Sequence, residues 1–178
     1  FWIWLQLKTI ADIGIIGLPN AGKSSLLSFI TSAKPKIANY KFTTLNPNLG
    51  VFRYDDRELT LADIPGLIEN AHKGVGLGIK FLKHIERCNT LLHLIDVNED
   101  DIIKSYKQVR KELGKYSKKL LNKDEIIVFN KIDLINEDEL NTKKKEFMSK
   151  YKKDILLLST LNKKLIKNIK SKLINYVS

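Results

Sequence analysis

The eight residues Gly17-Leu18-Pro19-Asn20-Ala21-Gly22-Lys23-Ser24 constrain this chain more than any other stretch. They lie between Ile13-Gly14-Ile15-Ile16, an apolar run suited to a buried strand, and Ser25-Leu26-Leu27-Ser28-Phe29-Ile30, whose apolar residues recur at helical spacing. Strand, loop and helix in that order form the context of a phosphate-binding loop. Backbone N–H groups between Gly17 and Ser24, with the positive end of the following helix, point at phosphate oxygens, and Gly17 and Gly22 permit close backbone approach. Lys23 reaches the terminal phosphates, and the Ser24 hydroxyl is placed to coordinate Mg²⁺. The plainer alternative is a glycine-rich turn with an incidental lysine, and the motifs further along weigh against it.

The rest of the chain alternates strands with helices. Asn48 to Tyr54 and Arg57 to Ala62 are expected to pair as an antiparallel hairpin turning at Asp55-Asp56, with further strands at Thr90 to Ile95, Glu125 to Phe129 and Asp154 to Leu158. Helices are expected over Ile102 to Tyr116, Glu137 to Tyr151 and Asn162 to Tyr176. Thr31 to Pro47, punctuated by Pro35 and Pro47, has the composition of a long surface segment, a kind of connection that is usually functional. Leu67 to Gly78 is expected to be a mobile glycine-rich loop leading into a helix at Ile79 to Ile85. The pattern predicts an α/β fold of the P-loop NTPase kind: a mostly parallel six-stranded sheet, one antiparallel hairpin, and helices on both faces. Ligands then bind at the carboxyl ends of the strands.

A chain of 178 residues suits one domain with a sizeable core. Its net charge of +11 is uneven, because residues 101–178 hold 20 Lys and Arg against 10 Asp and Glu while the first hundred are nearly neutral. Ten of the eleven excess charges therefore lie away from the phosphate loop in sequence. Nucleic acid is one partner that would explain them, and a solvated lysine-rich surface is the other reading. Lys outnumbers Arg 27 to 4, and Arg is the better base reader, and on sequence the two readings stand level. The single cysteine, Cys88, permits no internal disulfide and suits core packing in a reducing compartment. Phe1-Trp2-Ile3-Trp4-Leu5 is too short to span a membrane, so no stable membrane insertion is expected.

Further polar motifs fall where predicted strands end. Asp63-Ile64-Pro65-Gly66 follows Leu59 to Ala62: a carboxylate there can hold Mg²⁺ through a water, and the Gly66 N–H, in a turn set by Pro65, can meet a γ-phosphate oxygen. Asn130-Lys131-Ile132-Asp133 follows Ile126 to Phe129. The Asp133 carboxylate can accept both the ring N–H and the exocyclic amine of guanine, a donor pair that adenine lacks. An ATPase is accordingly disfavoured.

Gly17 to Ser24, Thr44, Asp63 to Gly66, Asn130 to Asp133 and Ser159-Thr160-Leu161 resemble the five guanine-nucleotide motifs of translation-factor-related GTPases. The residues between them resemble the Obg family, notably Ile10 to Gly14, Phe42-Thr43-Thr44-Leu45-Asn46 through Val51, and the run from Leu67 to Asp96. The resemblance implies that residues 10–178 are an Obg-type G domain and that residues 1–9 are an exit strand or linker from a missing amino-terminal domain. It implies that Ser24 and Thr44, with Asp63, serve the Mg²⁺ site, that Phe42 to Asn46 form a first switch, and that Lys131 stacks on the guanine read by Asp133. Thr160 stands where the family usually has Ala, and Asn70 where it usually has Gly. The resemblance further implies a monomeric cytoplasmic switch acting in assembly of the large ribosomal subunit, among its RNA and proteins.

Where many GTPases carry a glutamine that orients the attacking water, this chain has Leu67, which cannot polarise water. Hydrolysis must then draw on Lys23, Mg²⁺, the Thr44 and Gly66 backbone region, an outside group, or a K⁺ ion. In related GTPases lacking the glutamine an asparagine at the position of Asn20 helps to hold K⁺, so Asn20 is the candidate here, the alternative being a simple turn former. His72 lies in the predicted mobile loop and is a lesser catalytic candidate. The rival to a hydrolytic switch is a guanine-nucleotide sensor with negligible turnover.

Overall fold

The computed structural model describes residues 11–31, 36–37, 48–63, 86 and 88–177. In chain order their elements are β1 (Ile13–Ile16), α1 (Lys23–Ile30), β2 (Lys36–Ile37), β3 (Asn48–Tyr54), β4 (Arg57–Asp63), β5 (Thr90–Asp96), α2 (Ile102–Tyr116), α3 (Lys118–Leu121), β6 (Asp124–Asn130), α4 (Glu137–Tyr151), β7 (Ile155–Leu157) and α5 (Lys163–Val177). The strands form one sheet in the order β2-β3-β4-β1-β5-β6-β7. Only β3 runs against its neighbours, pairing antiparallel with β2 and β4, while β1, β4, β5, β6 and β7 pair in parallel.

The six expected strands and the hairpin are present, and the two-residue β2 is an addition at the sheet edge. It falls inside the stretch read as structureless, where two residues are too few to show any periodicity. Expectations for the loop at Leu67 to Gly78 and the helix at Ile79 to Ile85 lie outside the described residues, as do residues 1–9.

The alternating pleat divides the interior into two layers. Ile13, Ile15, Leu92, Leu94, Ile126 and Val128 meet α1 and α5, whose Leu26, Leu27, Ile30, Ile169 and Leu173 complete that layer. Ile16 and Leu91 face the other way against Val109 and Leu113 of α2, and Ile95, Ile127 and Phe129 pack with Tyr106 of α2 and Phe147 of α4. Strands covered on both faces need apolar residues at nearly every position, which is why β1, β5 and β6 stand out as continuous apolar runs. Side-chain caps set the helix starts: Asp101 accepts from Lys104 N at 2.8 Å, and Asn136 from Glu139 N at 2.9 Å.

One buried polar cluster interrupts the layer under α2 and α4. Glu125, near the start of β6, accepts from His93 Nδ1 at 2.9 Å and from the Tyr106 hydroxyl at 3.0 Å. Lys153 pairs with the same carboxylate, and Arg110 lies 3.6 Å away. Burial by itself would raise the Glu125 pKa, but the hydrogen bond from His93, with the hydrogen bond and charge of Lys153, outweighs it and holds the carboxyl at about 2. Burial lowers the His93 pKa, so the imidazole is neutral with its Nδ1–H donated to Glu125. Cys88 is buried, as expected, and burial pushes its thiol up to about 11.

Candidate nucleotide-binding site

The phosphate loop leaves β1, which lies between β4 and β5 at the point where the order of strand connection reverses. Open α/β sheets bind ligands at such a switch point. Gly17 has φ 153°, and a Cβ there would lie 2.5 Å from the Leu94 carbonyl oxygen. Gly22 has φ 95°, and its Cβ would lie 2.3 Å from Asn130 Nδ2. The glycines are thus required by the protein's own packing and not only by a ligand's approach. Asn20 is also left-handed, at φ 64°, and exposed.

Lys23 opens α1 and turns its ammonium back over the loop, donating to the carbonyls of Gly17 at 3.2 Å and Leu18 at 2.9 Å. Pro19 lies within this turn, and Ala21 is buried beneath it. Ser24 Oγ donates to Asp63 Oδ2 at 2.6 Å, joining the loop to the end of β4 across 39 residues of sequence. Asp63 is buried and its Oδ1 has no hydrogen-bond partner among the described residues. These residues open onto a cavity of about 480 Å³ lined by Asn20, Gly22, Lys23, Ser24, Ser25, Asp63 and Lys131.

The end of β6 closes the site from the other side. Asn130 is buried and donates Nδ2 to the Ala21 carbonyl at 2.8 Å, cinching the phosphate loop to β6. Lys131 is left-handed at φ 62° and its ammonium is 2.5 Å from Asp96 Oδ2 at the end of β5. Ile132 and Asp133 begin a single 3₁₀ turn, and Ile132 N donates to Leu158 O at 3.3 Å. That bond sets the turn beside the loop after β7, where Ser159 is buried and its Oγ accepts from Leu161 N at 3.2 Å. Asp133, Ser159 and Leu161 line a second cavity of about 650 Å³ with Asn162, Lys163 and Lys164, and Thr160 lies in the turn between. Lys131 lines the first cavity and its neighbours the second, so the chain passes from one to the other at this turn.

Residues 12–131 match the family described as 50S ribosome-binding GTPase. The chain belongs to that family. Two of its relatives are the GTPase Obg of Pelagibacter ubique, 67% identical over 99% of this chain and 54% of its own length, and the GTPase Obg of Ehrlichia chaffeensis, 61% identical over 90% of this chain and 47% of its own. The chain spans about half the length of these curated relatives. Among solved structures, Era in complex with MgGDPNP and nucleotides 1506–1542 of 16S ribosomal RNA matches with a TM-score of 0.65 at 25% identity, over 93% of this chain and 55% of Era. The Obg resemblance and the G-domain fold expected from the sequence are both borne out.

Within this G domain the described geometry brings together Gly17 to Ser24, Asp63, Asn130 to Asp133 and Ser159 to Leu161. Phe42, Thr43, Thr44, Leu45, Asn46, Ile64, Pro65 and Gly66 lie outside the described residues, as does His72. Two contacts were not read from the sequence, where Asp96 had no role and Asn130 stood in the nucleotide motif without its bond to the phosphate loop. Asp96 anchors Lys131, and Asn130 acts on a carbonyl 109 residues earlier. Both stand at the ends of apolar strand runs, the position that could have marked them.

Proposed function

We propose that this chain is the G domain of a switch that binds and hydrolyses GTP and acts on the large ribosomal subunit in the cytoplasm. The observation that carries the reading is the Ser24–Asp63 pair, whose buried carboxylate has one oxygen without a partner among the described residues, beside a cavity shared with Lys23. Such an oxygen is costly unless a ligand meets it. A hydroxyl and one carboxylate suit Mg²⁺, which keeps most of its shell as water and phosphate oxygen. No cluster of three acidic, His or Cys side chains occurs among the described residues, and this donor set needs none. Ser24, Asp63 and the first-switch Thr44 would hold the ion, which when bound would neutralise charge building on the phosphates.

In this reading Lys23 leaves the Gly17 and Leu18 carbonyls for phosphate oxygens, and the loop N–H groups take the remaining negative charge. Thr44 and Gly66 order on the γ-phosphate and are released after hydrolysis. Asp133 holds guanine by its two donors, the alkyl stem of Lys131 covers one ring face, and the Ser159 to Leu161 loop covers the edge. Exposed Leu161 supplies apolar surface for that contact. The ribosomal part is supported by the family description, 50S ribosome-binding GTPase. No helix among the described residues is long and apolar enough to cross a membrane.

Leu67 favours the second reading, a sensor with negligible turnover. Asn20 supports K⁺ assistance instead, because its left-handed backbone sets it on the phosphate cavity. Hydrolysis is expected on the order of 10⁻⁴ s⁻¹ unaided and faster in KCl than in NaCl, with Asn20→Ala abolishing the difference while GDP affinity holds. Single-turnover phosphate release in matched salts, with and without large ribosomal subunits, is the test. Release no faster than buffer under every condition would leave only the sensor.

A further inference from the structure

The charge excess of the second half of the chain is not spread evenly over the fold. Elsewhere some of the cations are answered by carboxylates: Lys143 pairs with Glu139 at 2.8 Å and Lys115 with Glu112 at 2.7 Å. Lys104 and Lys107 share a groove with Asp100, Asp101, Glu139 and Glu146. Helix α5 differs. It carries Lys163, Lys164, Lys167, Lys170 and Lys172 with no Asp or Glu in its length, and among the described residues none of the five is in an ion pair.

Its first turn is basic as well. Helix N-termini favour acidic side chains, and α4 follows the rule with Glu137, Asp138 and Glu139. In α5 the first turn holds Lys163 and Lys164 and no acid. The first turns of α1, α2 and α3 also lack an acid, so what sets α5 apart is five lysines and no carboxylate over 15 residues, a charge that an external partner of opposite sign would answer.

We propose that the outward face of α5 is a contact surface for an RNA backbone, an inference that rests on the ribosomal reading above. Ile166, Ile169, Leu173 and Ile174 bury one side of the helix against the sheet. The opposite side presents Lys164, Lys167, Asn168, Ser171, Lys172 and Asn175, of which all but the half-buried Ser171 are exposed. From Lys164 to Asn175 this stripe runs about 16 Å, enough to lie along several consecutive phosphates. Lysine supplies point charges to phosphate without reading bases, and the amides and the hydroxyl can pair with ribose 2′-OH groups. Exposed Tyr176 at its end offers a stacking surface. An anionic membrane fits less well, because an interfacial helix needs an outward apolar face and that of α5 is spent on the core.

The test is fluorescence anisotropy of a labelled RNA hairpin over a range of KCl, with GDP titrated into the same samples. Lys167→Gln with Lys172→Gln is expected to weaken hairpin binding about tenfold and to flatten the slope of log affinity against log salt by about 1.5, leaving GDP affinity unchanged. Lys167→Arg with Lys172→Arg should retain both. Lys145→Gln with Lys150→Gln removes the same charge from the balanced α4 and should leave the slope at the wild-type value. Equal losses from the α4 and α5 glutamine pairs, no change from either, or binding to phosphatidylglycerol vesicles and not to the hairpin would each overturn the proposal. If the wild type binds GDP and co-sediments with large subunits yet ignores the hairpin, this surface alone is refuted. Absence of co-sedimentation in every nucleotide state would refute the ribosomal reading instead.

Discussion

Strand β6 begins at one buried polar cluster and ends at another, about 16 Å apart by strand rise, and the two clusters differ in what surrounds their carboxylates. At the start, the Glu125 carboxylate meets His93, Tyr106 and Lys153, with Arg110 close by, and no solvent reaches its side chain, while His93 Nε2 and Arg110 Nη1 have no hydrogen-bond partner among the described residues. At the end, Asn130 Oδ1 and the neighbouring Asp63 Oδ1 are buried with no hydrogen-bond partner among the described residues. The surrounding backbone holds left-handed Asn20 and Lys131, and a cavity opens beside them. Unmet polar atoms occur at both ends, but only at the end of β6 do they stand beside left-handed backbone and a cavity lined by Lys23, Ser24 and Asp63, where a ligand can meet them. Buried polarity alone does not mark a functional site; unmet hydrogen-bonding capacity beside a cavity does.

The comparison predicts that substitutions at the two ends of β6 separate stability from binding. The largest effect is expected from Glu125→Ala, which strands buried His93 beside Lys153 and Arg110. It should cost about 3–5 kcal/mol of folding stability, read as a fall in the urea midpoint, while GDP affinity per folded molecule stays near wild type. A GDP affinity that fell in step with stability would erase the distinction.

A smaller effect is expected from Asn130→Ala, which removes the cinch on the Ala21 carbonyl. GDP affinity should fall by about 1–3 kcal/mol, measured calorimetrically, with the larger share appearing in binding and not in the urea midpoint. The reverse split would make Asn130 a structural residue like Glu125.

The smallest effect is the pH dependence of the closed cluster. His93 has its pKa lowered by burial, so the unfolded chain binds its proton more readily and stability declines as pH falls below the ordinary value of 6.5. Glu125 is held at about 2 against an ordinary 4.5, so its contribution is complete above 4.5 and drains away as pH falls toward 2. Both act in the same direction. Urea midpoints from pH 8 to pH 4 should therefore decline on acidification, and His93→Gln should flatten the upper part of that decline.

Much of the fold was legible because β1, β5 and β6 are buried on both faces and their helices carry one apolar stripe each. The phosphate loop and the Asp133 turn were legible because backbone chemistry ties them to fixed spacings at strand ends, and Asp63 was legible as the end of its strand. What escaped had no local signature. Strand β2 has two residues, α3 has four, and both form through contacts made elsewhere. His93 and Glu125 sit as isolated polar residues within apolar strands, and only the register that sets β5 beside β6 shows that they meet. Asn130 and Asp96 likewise act on partners far away in sequence.

The central claim is that the open end of β6 reads guanine through Asp133. Calorimetric titration of GDP and XDP into wild type and Asp133→Asn tests it most directly, because an amide can donate to the oxygen that replaces guanine's amine in xanthine. The account predicts that the variant loses about 1.5–3 kcal/mol of GDP affinity and comes to prefer XDP. A variant that binds GDP as tightly as wild type, with XDP no better than before, would contradict it.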